Sequence, residues 1–128
     1  MSTLAGGFVA VGLGAALGAW LRWGLGVWLN LRTPALPLGT LVANLAGGYL
    51  VGIALAWISH RPEIPVEWRL FLVTGFLGGL TTFSTFSAES VGMLLRGEYG
   101  WALLHTTWHL AGAIVMTALG VLTYRTLL

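Results

Sequence analysis

Cysteine is missing from the chain, and with it go a disulfide framework, a thiolate metal site and a thiol nucleophile. Lysine and aspartate are missing too, so the formal charge rests on six Arg and four Glu. Charged residues make up 8% of the chain, against roughly 25% in an ordinary soluble domain. A soluble protein of 128 residues must turn a large polar surface to water, and so few charges cannot cover it. The net charge of +2 is also too small and too scattered for nucleic acid, which calls for a basic stripe, so nucleic acid is not an expected partner. No basic segment precedes the first apolar run, which continues past Arg22 to Leu31. A cleaved signal peptide is therefore not expected, and the first helix stays in the mature protein.

What is present is apolar: 57% of the residues, in long runs. A helix crosses a bilayer with about 20 such residues. Leu4 to Leu21 is free of charge and its apolar character runs on to Leu31. Pro34 to Ser59 carries no formal charge, Leu70 to Ala88 carries none and extends as an amphipathic stretch to Leu95, and Tyr99 to Tyr124 holds two His but no Arg or Glu. The reading is an all-α integral membrane protein, one domain over 1–128 with four transmembrane helices in a lipid bilayer. Thr33-Pro34 and Pro37 reset the chain before helix 2, and Arg96-Gly97-Glu98 makes the turn before helix 4. Trp28, Trp57, Trp68 and Trp101 fall near helix ends, where amphipathic rings favour the headgroup layer.

Gly14-x3-Gly18, Gly48-x3-Gly52 and Gly75-x3-Gly79 are spaced for close helix contact, since small residues let backbones approach in lipid. Tight packing is reason enough for most of them. Orientation is less decided. Arg61, Arg69 and Arg125 lie on the side of the termini, with Arg32 and Arg96 opposite, too even a split to select one topology by the positive-inside rule. One weakly set orientation and insertion both ways round, giving an antiparallel dimer, both fit.

Polar groups inside spans are costly and mark candidate function. Arg22 lies deep in helix 1, Asn44 in the middle of helix 2, Glu89 at the close of the helix 3 run, and His105 and His109 one turn apart on helix 4. Each has a plainer role: Arg22 can snorkel or pair with an acid, Asn44 can bond across an interface, and Glu89 can mark a water-exposed helix end. The two His with no adjacent carboxylate or cysteine fall short of a usual metal ligand set, and polar lining or packing is the preferred reading.

The most informative segment runs from Gly75 to Glu89. Gly78-Gly79 and Thr81-Thr82 are poor helix formers, and a Gly costs about 1 kcal/mol relative to Ala. They predict a break in the middle of helix 3. A break frees backbone carbonyls at membrane depth, which protein or a water-filled cavity must cover and which can coordinate a monovalent cation. After it come Thr82, Ser84, Thr85 and Ser87 as hydroxyl donors, with Phe83 and Phe86 on a shared face. Phenyl rims are electropositive, so rings, hydroxyls, the Asn44 amide and Arg22 together suit a small anion.

With these motifs the sequence resembles the Fluc/CrcB family of fluoride channels. The likeness runs over essentially the whole chain: the glycine-rich first helix ending in Trp20-Leu-Arg22-Trp23, Pro37-Leu-Gly39-Thr-Leu-Val-Ala-Asn44, and Gly75 to Glu89. The resemblance implies a passive fluoride-selective channel of the cell inner membrane. It would export fluoride from the cytoplasm, work as an antiparallel dual-topology homodimer, and hold a structural Na+ at the dimer centre. Gly78 and Thr81 would give carbonyls to sodium. Asn44, Thr82, Phe83, Ser84, Thr85, Phe86, His105 and His109 would line the fluoride pathway, with Arg22 near an aqueous vestibule. Along helix 4 the chain carries His105, His109 and Ala113 where family members often have Tyr, Asn or Ser.

Three rival readings fit less of the sequence. A small multidrug transporter needs a carboxylate in helix 1, which here offers only Arg22. An intramembrane enzyme could pair Ser84 or Ser87 with His105 or His109, but only geometry can support it, and no enzymatic activity is expected. A purely structural subunit leaves Asn44 and Arg22 without a reason.

Overall fold

The computed structural model describes residues 2–128, with side chains from residue 4 onward; Met1, the first residue of the expected 1–128 domain, lies outside the described residues. Four helices long and apolar enough to cross a membrane run along the chain, and no strand occurs among the described residues. Helix α1 is Ser2–Leu25 and opens into a wider π turn over Gly26–Asn30. Helix α2 is Leu38–Ser59, α3 spans Val66–Leu95 with an interruption, and α4 is Tyr99–Leu127.

Local chemistry explains the boundaries. Helix α2 starts after Pro37, and the Gly39 N–H donates to Asn30 Oδ1 at 2.7 Å. The amide at the end of one span thus caps the first turn of the next. At the far end of α3 the chain turns through Gly97, the one residue with positive φ (75°) among those described. The Glu98 N–H donates to Met93 O at 2.9 Å and the Gly97 N–H to Leu94 O at 3.0 Å. This is a Schellman closure, which favours glycine at the left-handed position.

The side-chain distribution is inverted relative to a water-soluble bundle. Leu4, Phe8, Trp20, Trp23, Leu31, Leu103 and Ile114 point outward, while Ala43, Ala54, Ala56 and several glycines lie inside. Lipid is as apolar as leucine, so close packing of small residues does much of the joining of helices. Beside it stand two clusters of buried large side chains, Leu36, Leu41 and Met93 in one and Leu77 and Leu80 in the other. The closest pairings are α2 with α4 and α1 with the first half of α3. Gly14 and Gly18 meet the backbone of Phe71, Gly75 and Phe76, while Gly75 and Gly79 meet Val11, Gly14 and Ala15. A side chain at Gly18 would run into the Phe76 carbonyl, and one at Gly52 into that of Thr117. Each pairing is therefore a seam of facing glycines. Hydroxyls add to the α2–α4 seam: Thr117 Oγ1 donates to Gly48 O at 3.0 Å and Tyr49 OH to Thr123 Oγ1 at 2.9 Å. Trp28, Trp57, Trp68 and Trp101 are all exposed near the ends of their helices.

Candidate functional site

The site is organised around the interruption of α3. Its first half includes a π-helical stretch, Leu70–Leu77, and ends with Gly78–Leu80. Thr81 then takes extended dihedrals (φ −89°, ψ 155°), and helix resumes at Ser84–Leu95. The amide of Thr81 still reaches Leu77 O at 3.0 Å. The next amides turn elsewhere. The Thr82 N–H, which an unbroken helix would direct to Gly78 O, donates to Asn44 Oδ1 at 2.7 Å. The Thr85 N–H, which would close onto Thr81 O, donates to Thr82 Oγ1 at 3.0 Å and so caps the second half. The Gly79 carbonyl accepts from Arg22 Nε at 3.1 Å.

Asn44 holds the interruption with both ends of its amide, since Nδ2 also donates to Thr82 O at 2.9 Å. Those two bonds fix which end is oxygen and which nitrogen. The same Nδ2 lies 2.8 Å from His109 Nδ1, so it donates there and His109 Nδ1 must be the bare ring nitrogen. A neutral His109 therefore carries its proton on Nε2.

Behind this clamp lies a cluster that the sequence did not assemble. His105 and His109 are buried, 1% and 3% exposed, with ring centroids 4.3 Å apart. Phe86 stacks on His109 at 4.6 Å and 21°. His105 Nε2 lies 3.2 Å from Glu89 Oε1, without the alignment of a hydrogen bond. The other carboxylate oxygen accepts from Thr40 Oγ1 at 2.7 Å. Glu89 Oε1, both nitrogens of His105 and Nε2 of His109 are buried with no hydrogen-bond partner. Glu89 is thus not a water-exposed helix end: its side chain is 18% exposed and faces α2 and α4. The objection that the His pair lacks a carboxylate also fails, because α3 supplies one from 16 residues upstream of His105. Thr40 is absent from the sequence reading of the site, and Glu89 is singled out there as a costly polar group but not placed on the pathway. The isolated charge of Glu89 was its signal; Thr40 gave none.

Two hollows flank the cluster. An open groove of about 600 Å³ is lined by Asn44, Gly78, Thr81, Thr82, Phe83, Phe86 and His109, among others. A smaller hollow of about 280 Å³ is lined by Asn30, Pro37, Glu89, Gly92, Met93 and Arg96. Most of the expected site residues therefore come together. The Phe pair meets edge to face at 5.3 Å and 80°, but Phe86 is buried while Phe83 is 70% exposed, so within one chain only Phe86 is enclosed. Ser84 is exposed beside Phe83, its hydroxyl 3.4 Å from that of Thr82, and Thr85 is half-buried. Arg22 stands on α1 and donates a hydrogen bond to the Gly79 carbonyl at the end of the first half of α3. Neither Ser84 nor Ser87 hydrogen-bonds to His105 or His109 among the described residues, so no serine–histidine pair of a hydrolase is built here.

The model of the CrcB-like protein family (Camphor Resistance, CrcB) matches residues 9–121. A protein named fluoride-specific ion channel FluC from Cupriavidus pinatubonensis is 62% identical over 121 residues, 94% of this chain and 96% of its own. Proteins of the same name from Nitrosospira multiformis and Thiobacillus denitrificans are each 60% identical, over 116 and 113 residues. These alignments cover 91% and 88% of this chain, and 91% of each relative.

Proposed function

The chain belongs to the CrcB-like family, and from that premise we propose that it is a passive, fluoride-selective ion channel of a bacterial inner membrane. It is a multi-pass membrane protein and not an enzyme. The observation that carries the reading is the clamp of Asn44 on Thr82: a polar side chain in the middle of one span holds open the backbone of another at membrane depth. Such an interruption is tolerated where protein or an aqueous path covers it. Around it lie an amide, hydroxyls and a phenyl edge, groups that can replace the water lost by a small anion.

The path we infer enters the hollow rimmed by Arg96, passes Glu89, the His pair and Phe86, and leaves along the groove past Asn44 and Phe83. A carboxylate beside that path opposes an anion unless it carries a proton or faces a cation, and His105 at 3.2 Å is the group placed to share one. His109, with its proton on Nε2, offers a donor. Thr82, Ser84 and Thr85 contribute hydroxyls farther along, and Arg22 acts at a distance, on the carbonyl of Gly79. A passive path needs no coupling ion. The inside-negative potential of a cell membrane, worth about 2.3 kcal/mol per charge at 100 mV, drives an anion outward, which makes the channel an exporter of cytoplasmic fluoride.

The active unit in this reading is a homodimer of two four-helix domains in opposite orientations. The Gly78 and Thr81 carbonyls, whose ladder amides donate elsewhere, fit a hard monovalent cation such as Na+. One chain offers two such oxygens and a twofold mate two more. The ion would supply fixed charge that joins the subunits. The deciding experiment loads reconstituted liposomes with potassium fluoride and follows efflux with a fluoride electrode after adding a potassium ionophore. Fluoride should leave rapidly and chloride should not; equal chloride efflux, or strict dependence on a proton gradient, overturns the reading.

A further inference from the structure

We propose that Glu89, His105 and His109 form a binding site for a divalent transition-metal ion of the zinc or cobalt kind, and that the bound ion closes the path. Each residue offers one ligand atom, and the three atoms lie within 4.8 Å of one another. The separation of His105 Nε2 and Glu89 Oε1, 3.2 Å, is that of two neighbouring ligands around a tetrahedral ion with bonds of about 2 Å. Two imidazoles and one carboxylate with a fourth position open is a familiar zinc set. It is unsuited to sodium or magnesium, which take oxygen rather than imidazole.

A second and independent observation points the same way. Among the described residues, the buried side-chain atoms left without a hydrogen-bond partner are Glu89 Oε1, both nitrogens of His105 and His109 Nε2. Buried polar atoms ordinarily find partners, and leaving them unpaired is costly. Here the unpaired atoms all belong to one cluster, and an ion would satisfy Glu89 Oε1, one nitrogen of His105 and, once its proton has moved, His109 Nε2. Glu89 lines the hollow beneath Arg96, which gives an ion a route inward, and Thr40 holds the second carboxylate oxygen in place, as outer partners of metal ligands do.

The hydrogen bond from Asn44 sets the condition for binding. In the metal-free protein it keeps His109 Nδ1 bare and Nε2 protonated. To bind through Nε2 the proton must move to Nδ1, and the Asn44 N–H that donates there must turn away. The ion therefore competes with the clamp on the α3 interruption, and its binding both fills the path and loosens the amide that organises it.

Binding is measured on the purified full-length chain in detergent, with any polyhistidine tag removed, by titrating Co2+ and recording its visible absorption, then displacing it with Zn2+. This readout does not depend on the channel reading, whereas closure of the path does. Wild type should bind one ion per chain, Mg2+ should not compete, and affinity should fall as the solution is acidified, because the ligands must shed protons. Glu89→Gln, which keeps shape and the Thr40 contact, should weaken binding at least tenfold. The double variant His105→Gln, His109→Gln should abolish the signal, while His60→Ala on the loop after α2 should not change it. No cobalt band in the wild type, or a band that survives in the double variant, overturns the site. In the liposome assay, Zn2+ at saturating concentration should stop fluoride efflux at least tenfold; unchanged efflux from protein that binds cobalt overturns closure. If metal-free wild type passes no fluoride, the channel reading fails, and the cobalt titration still decides the site.

Discussion

Phe86 and Asn44 divide the work at the centre of the protein between a ring and an amide. Phe86 is 4% exposed, stacked on His109 and met by the edge of Phe83. Phe86→Ile keeps much of its apolar volume but removes the ring quadrupole. Fluoride efflux should fall at least tenfold while the protein still assembles, read by electrode and by size-exclusion chromatography. Phe83→Tyr keeps the ring edge and should be milder. Wild-type flux from assembled Phe86→Ile would make the ring filler. Asn44→Ala unpairs the Thr82 N–H, the Thr82 carbonyl and His109 Nδ1 together. A buried polar group left without its partner costs about 1–3 kcal/mol, so the variant should lose stability by at least that much. Unfolding in mixed micelles measures it, and a loss below a few tenths of a kcal/mol would mean the clamp is loose.

Between elements, glycine seams set how closely the helices approach, beside the buried clusters around Leu41 and Met93 and around Leu77 and Leu80. Gly18 faces the backbone of Phe76 and Leu80, so Gly18→Leu must force α1 away from α3. Overpacking of this kind costs about 1–3 kcal/mol. Gly12 lies on the same helix with nothing within 4 Å of the position a Cβ would take. Gly12→Ala should therefore be neutral or stabilise by up to about 1 kcal/mol through helix propensity. The pair separates contact from propensity: equal effects on unfolding from both variants would refute the seam. These GxxxG patterns were legible in the sequence as contact surfaces, and so was the Gly97 turn. Which helix each surface would meet was not, because small residues carry no information about their partner. The same is true of Asn44: its position inside a span was plain, but its partners Thr82 and His109 lie 38 and 65 residues away on other helices.

For the whole molecule the open question of orientation has a direct test. The chain has no cysteine, so Pro62→Cys in the loop between α2 and α3 introduces a unique label site. With both orientations present, an impermeant thiol reagent should modify a substantial fraction from each side of the membrane. Complete labelling from one side would refute insertion both ways round. Two added Arg at the Arg96 turn should bias insertion and lower activity when that variant is expressed alone. The sequence by itself determined that this is a membrane protein with four spans, since lipid demands about 20 apolar residues per crossing and composition records that demand directly. It also marked the helix-poor stretch from Gly78 to Thr82 and the polar residues within spans. Only the tertiary structure decided which of those residues meet: Glu89 with His105, Asn44 with Thr82 and His109, Arg22 with Gly79. Hydropathy sets where a helix enters and leaves the bilayer, but a helix that is apolar nearly all round has no preferred rotation about its own axis. That rotation, and with it the pairing of polar groups, comes from how the glycine faces pack.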